Sequence, residues 1–204
     1  RVSRVAIREA LRALENTGFV VTRQGATGGA FVTDLTFERL ALAFLDLFLA
    51  GKISIPEMNE VRQLVEPEVA RLAASRVNQH YAQRLVEALS AEELPTLTFE
   101  EDFDRKTRVH IILAEMCGNR FFEALVRSAM GLTMKVIEAV RPNPMFIHPA
   151  GLHRPIVEAV LAGDPSAAAE AMRKHTAEFG ETLIKMEAAY RKGKSSFPLR
   201  SSRS

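Results

Sequence analysis

The chain has 204 residues, 47% of them hydrophobic and 25% charged, with a formal net charge of +2. That size buries a real core, and so ordinary a composition excludes the disordered, collagenous and membrane-spanning classes. The longest apolar run, residues 40–51, is broken by Asp46 and is shorter than the roughly 20 residues a bilayer requires.

No secretory leader opens the chain, and the single Cys117 offers neither an internal disulfide nor a zinc-type cysteine pair. The expected compartment is therefore the cytoplasm, with no membrane partner. Charge is unevenly spread. Residues 1–33 carry five arginines against Glu9 and Glu15, residues 191–204 carry five bases and no acid, and the middle carries an excess of acid. A basic end on an acidic body points to a polyanion-binding module joined to something else.

In chain order, Ile7, Ala10, Leu11 and Leu14 recur at helical spacing. Ser3 is the expected N-cap and Gly18 the stop. Phe19 to Arg23 is rich in β-branched residues, and after a glycine-rich turn Ala30 to Val32 reads as a second strand, so a hairpin is expected. One helix and one hairpin cannot bury both faces, so the segment reads as the back half of a small domain whose earlier residues precede Arg1. From about residue 36 strand signals cease. Helices are expected at roughly 36–50, 55–76, 79–90, 97–117, 119–139, 149–162 and 165–190, separated by Gly51, Pro95, Gly118-Asn119, Pro142-Asn143-Pro144 and Gly163-Asp164-Pro165. Seven helices at these loop lengths imply an antiparallel bundle. The tail from Lys192 reads as disordered.

Arg4, Arg8 and Arg12 advance about 40° per step around a helix and share one face, opposite the apolar stripe. Such a face can enter a DNA major groove, where Arg pairs bidentately with guanine or clamps phosphate. A solvated helix face is the alternative reading. The run Val2-Ser3-Arg4-Val5-Ala6-Ile7-Arg8-Glu9-Ala10-Leu11-Arg12-Ala13-Leu14-Glu15-Asn16-Thr17-Gly18-Phe19-Val20 resembles the recognition helix of GntR-family winged helix-turn-helix repressors, and residues 25–32 resemble the family's wing. Arg1 stands where the family usually has Gly. The resemblance implies DNA contacts from Ser3, Arg4 and Arg8, with Gln24 and Gly25 near the wing tip; Arg12 joins them by its place on the same face.

Five histidines occur, at 80, 110, 148, 153 and 175. His153 and His175 lie 11 residues either side of Asp164, so an antiparallel hairpin of the last two helices sets both imidazoles at one height, whereas a straight helix would hold them about 33 Å apart. His110 lies mid-helix among Val109, Ile112 and Leu113. A core-facing imidazole needs a partner, and a shared metal supplies one. The stretches Val109 to Asn119, His153 to Asp164 and Ala168 to His175 resemble three motifs of the FadR-type C-terminal ligand-binding domain, F-H-x-x-L-A-E-A-S-G-N, H-R-x-I-x-x-A-I-x-A-G-D and A-x-x-x-M-x-x-H. Many members bind a divalent metal through three His and one carboxylate. The resemblance implies His110, His153 and His175 as metal ligands. The family's carboxylate, four residues before the first His, is Lys106 here, and neither Asp102 nor Asp104 shares its direction on a regular helix. Lys106 thus either opposes the ion or serves as an anion partner. Arg62 resembles an effector-reaching Arg of the family; its other reading is a pair with Glu66 one turn on. Asn119 reads as a helix-boundary residue, Cys117 and the Met residues as core.

The expected fold is mainly α: the recognition helix and wing of a winged helix-turn-helix (1–34), an antiparallel all-α effector-binding and dimerisation domain (35–190) and a basic tail (191–204). The expected function is a homodimeric regulator, a repressor, that binds double-stranded operator DNA and responds to a small organic acid, with Zn, Ni or Mn as the candidate metal and Arg62 and Lys106 as effector contacts. The alternatives are a stand-alone helical ligand-binding module and a His-metal hydrolase. No carboxylate sits at the expected ligand position to serve as base and no Ser/His/Asp or Cys/His motif appears, so no enzyme is expected.

Overall fold

A computed structural model of the chain describes residues 2–33, 37–96, 98–140 and 151–195. Two compact units divide between residues 37 and 38.

The first unit holds helix α1 (Arg4–Asn16) and an antiparallel hairpin of β1 (Val20–Arg23) and β2 (Gly29–Val32). Ser3 caps α1, its hydroxyl accepting from the Ala6 amide at 3.1 Å. Register pairs Val20 with Val32 and Arg23 with Gly29. The tip is closed by the Gly28 amide on the Gly25 carbonyl at 2.9 Å. No residue of α1 is buried, and Ile7 and Leu14 of its apolar stripe remain about half exposed.

The second unit is helical: α2 (Glu38–Leu49), α3 (Ile55–Ala74), α4 (Gln79–Glu92), α5 (Phe99–Met116), α6 (Arg120–Val140), α7 (Arg154–Leu161) and α8 (Pro165–Ser195). The ends follow capping chemistry. Ser54 and Glu57 form a capping box on α3, Asn78 and Thr98 cap α4 and α5, and the Asn119 carboxamide accepts from the Phe121 and Phe122 amides at the start of α6. Between α7 and α8 Gly163 adopts φ +66°, a left-handed turn that glycine makes without strain, and Asp164 accepts from the Ser166 and Ala167 amides. α7 is shorter than its pattern predicts, and the Pro142-Asn143-Pro144 break lies outside the described residues. Conversely α8 runs on through Ser195, because nothing in Arg191-Lys192-Gly193-Lys194 stops a helix outright; the start of the basic tail is therefore helical, not disordered. The remainder of the tail is not described.

Two apolar clusters form the core. One gathers Val69, Leu85, Ile112, Leu113, Val126, Ile156 and Met172, with Cys117 buried among them. The other gathers Phe48, Ile55, Phe103, Leu132, Val136, Ile137 and Leu183. On α3, α5 and α8 the residues between the two contributing stretches are polar yet buried: Asn59, Arg62 and Glu66; Thr107 and His110; His175 and Thr176. A polar centre therefore sits between two hydrophobic halves. α3 and α8 pack closely, and Gly180 makes this possible, since a Cβ there would fall 2.0 Å from the Asn59 side chain.

Candidate functional site

The polar centre is built on three imidazoles from three elements. His110 comes from mid-α5, His153 from the residue preceding α7, and His175 from α8. All three are buried, at 4%, 0% and 5% exposure. The α7–α8 turn does bring the residues flanking Asp164 level, and the His153 and His175 ring centroids lie 4.5 Å apart. His110 Nε2 lies 3.0 Å from His153 Nε2 and 3.2 Å from His175 Nε2. Among the described residues these three are the one gathering of His, Cys, Asp and Glu donors in ligand range of each other.

Two buried carboxylates stand behind the rings. Glu66 Oε2 lies 2.6 Å from His110 Nδ1, and Glu92 Oε2 lies 2.7 Å from His153 Nδ1. Burial pushes the Glu66 carboxyl up, but Arg62 and His110 outweigh it and hold it at about 2. Glu66 is thus an acceptor only, so His110 must present Nδ1–H to it. Burial holds His153 well below the usual histidine range, helped by His110, Arg62 and Lys106 and opposed by Glu66. A neutral His153 carries one proton, and the Glu92 carboxylate claims it at Nδ1. The Nε2 lone pairs of His110 and His153 then face each other at 3.0 Å, and a cation between them relieves their repulsion. Three imidazole nitrogens at this spacing suit bonds of about 2.0–2.1 Å to one ion, and the carboxylate–histidine backing is the usual support of such ligands. The donor set therefore fits a divalent metal.

A cavity of about 30 Å³, room for roughly two water molecules, opens onto the histidines. Arg62, Asp102, Lys106 and Phe179 also line it. Arg62 is 2% exposed; Nε bonds Glu66 Oε1 at 2.5 Å, the one-turn pair that was its other reading, and the guanidinium lies over the Phe179 ring at 5.6 Å. Its Nη1 is buried with no hydrogen-bond partner. Lys106 faces this cavity and bonds Asp102 Oδ2 at 2.7 Å. The expectation that Asp102 points elsewhere is corrected: eight residues leave it only about 80° from His110 around α5, near enough to line the same cavity.

Glu92 escaped the sequence reading, and Glu66 entered it only as a partner for Arg62. A signal existed. Glu92 continues the stripe Leu85, Ala88, Leu89, and Glu66 the stripe Asn59, Arg62, Val69, so both are acids on buried helix faces.

In the first unit Arg4, Arg8 and Arg12 are exposed on α1. Arg12 pairs with Glu9 at 3.1 Å; among the described residues neither Arg4 nor Arg8 forms an ion pair. Gln24 and Gly25 are exposed in the turn between β1 and β2. Ser3 is committed to the cap, and its hydroxyl is held against the helix end.

Residues 57–178 match the FCD domain. The chain is 27% identical over 191 residues to the HTH-type transcriptional regulator LutR of Bacillus subtilis, covering 90% of this chain and 85% of that protein. It is 32% identical over 187 residues to the uncharacterized HTH-type transcriptional regulator Mb0601 of Mycobacterium bovis, covering 83% of this chain and 72% of that protein. Its fold resembles that of Streptococcus agalactiae GntR, with a TM-score of 0.60 at 23% identity over 88% of this chain and 82% of that one. These relatives are transcriptional regulators, not enzymes. No described helix is long and apolar enough to cross a membrane.

Proposed function

The chain belongs to the GntR family of transcriptional regulators, which bind operator DNA, and carries an FCD domain; from that premise we propose that it is a FadR-type repressor in the cytoplasm that senses a small carboxylate through a metal-assisted site. The observation that carries the reading is the trio of buried imidazoles, with His110 Nε2 at 3.0 and 3.2 Å from those of His153 and His175, backed by Glu66 and Glu92 and facing a cavity with Arg62 and Lys106. His110, His153 and His175 hold the ion, with Zn or Ni suited to imidazole better than Mn. The ion supplies a Lewis-acidic anchor for the effector. Glu66 and Glu92 fix the ring tautomers, and Arg62 offers its unpaired Nη1 to the anion.

On the DNA side α1 lies in the major groove. Arg4 and Arg8 reach base edges and phosphates, Arg12 adds charge, Ser3 starts the helix, and Gln24 and Gly25 bring the wing to the backbone. The half-exposed stripe of Ile7 and Leu14 is the face such a fold packs inward. Two protomers place two such helices one DNA turn, about 34 Å, apart to read a palindrome. The effector shifts DNA affinity only as far as it binds one dimer geometry better than another.

The test is binding to DNA from the neighbourhood of the protein's own gene, over a salt series. A site-selective, salt-sensitive affinity is expected, and Arg4→Ala with Arg8→Ala should weaken it and flatten the salt slope by about 2. Equal affinity for all sequences, or indifference to the double substitution, sinks the regulator reading.

A further inference from the structure

Helix α5 carries three acid–base pairs one turn apart, each with the acid on the N-terminal side, the order that favours pairing on a helix. Two of them close: Glu101 meets Arg105 at 2.5 Å, and Asp102 meets Lys106 at 2.7 Å. The third, Asp104 with Arg108, stays open, and among the described residues neither side chain forms an ion pair or a hydrogen bond. Both are exposed, and both line a cleft of about 340 Å³ between α4 and α5. The floor of the cleft is apolar. Ala88 and Ile112 are buried there and Ala91 is partly buried, and the two alanines leave space that larger side chains would fill. Arg108 and His110 lie about 200° apart around α5, so this cleft and the histidine cavity open on opposite faces of one helix, and they share no lining residue.

We propose that this cleft is a further small-molecule site and that it takes an α-amino acid zwitterion with an aliphatic side chain. The Arg108 guanidinium takes the carboxylate as a fork, the Asp104 carboxylate takes the ammonium, and the aliphatic part lies on Ala88, Ala91 and Ile112. An apolar floor with a few convergent polar groups is the usual make-up of such a site. The two other arginines at the rim are engaged from outside it. Arg84 meets Glu115 at 2.6 Å, and Arg105 meets Glu101 as well as the carbonyls of Ala91, Leu94 and Pro95. A plain anion would gain Arg108 but face Asp104 and Glu87, and a plain amine would gain the acids but face Arg108. A molecule with both charges on one carbon satisfies both ends of the open pair. Because Asp104 and Arg108 are exposed, water screens them, and the expected affinity is in the millimolar range.

The experiment is saturation-transfer-difference NMR on the full chain with millimolar L-alanine, L-valine, L-leucine and L-methionine, in EDTA so that no metal contributes. At least one of the four should show transfer to its methyl groups and saturate on titration. Its amide, which lacks the carboxylate, and its deaminated acid, which lacks the ammonium, should each bind about tenfold more weakly, the loss of one charge-assisted contact. Arg108→Ala and Asp104→Ala, both at exposed positions, should each weaken the amino acid by about tenfold as well, with circular dichroism checking the fold of each variant. No transfer to any of the four overturns the proposal, as does an affinity that both substitutions leave unchanged. Equal binding of the deaminated acid would make the cleft a plain anion patch and overturns it too. None of these results bears on the histidine site, because the metal is absent throughout.

Discussion

The two units treat charge in opposite ways. In the first, Arg4, Arg8 and Arg12 stand in water on a helix with no buried residue, and among the described residues only Arg12 of the three forms an ion pair, with Glu9. In the second, Arg62, Glu66, Glu92 and three histidines are all at most 5% exposed, and they contact one another. Exposed cations are cheap to keep, and in the function proposed above they meet a partner that arrives from outside, a surface dense in phosphate. Buried charges must be compensated where they stand. Their arrangement describes what the interior admits, down to an unused N–H on Arg62. The same residue type, arginine, therefore carries different information in the two places.

The sharpest test of the interior is metal content. His110→Ala should lower affinity for the ion by more than about 100-fold, read by elemental mass spectrometry of purified protein. Glu92→Gln, which leaves all three histidines in place and weakens the support behind His153, should cost about 10- to 100-fold. If Glu92→Gln proves harmless, the buried carboxylate has a packing role alone, and the contrast between the units weakens.

The exterior is tested by comparing two arginines on one face. Arg8→Ala should cost about 1–3 kcal/mol of preference for the operator. Arg12→Ala should cost less, because its guanidinium is shared with Glu9. Equal losses measured by fluorescence anisotropy would mean that the Arg12–Glu9 pair breaks on DNA.

The smallest expected effect is on stability against pH in metal-stripped protein. His153 is held well below its ordinary 6.5 when folded. The unfolded chain therefore takes up a proton as pH falls through 6.5 while the folded chain does not, so its stabilising contribution is complete above 6.5 and shrinks below it. Glu66, at about 2 against an ordinary 4.5, adds a second loss as pH falls from 4.5 towards 2. The melting temperature should drop by several degrees between pH 7.5 and 5.5. A flat profile over that interval would mean that His153 takes up its proton as readily in the folded chain as in the unfolded one.

Much of this was legible along the chain. Helical periodicity located the eight helices of the described residues, because an amphipathic stripe is a local property of spacing, and Ser3, Asn119, Gly163 and Asp164 marked ends through their own backbone chemistry. Equal offsets of His153 and His175 from Asp164 were enough to pair them, since an antiparallel turn turns sequence symmetry into spatial proximity. Lys106 at an unexpected position was visible too. What the sequence could not decide was compensation. That Glu92, 61 residues from His153, backs its ring and that Arg62 is left with one unpaired nitrogen depend on how α3, α4, α5, α7 and α8 close around one point. Periodicity says which face of a helix is inside; only the packing of several helices says which charges meet there, because electrostatic balance is a property of distances in space and not of spacing along the chain.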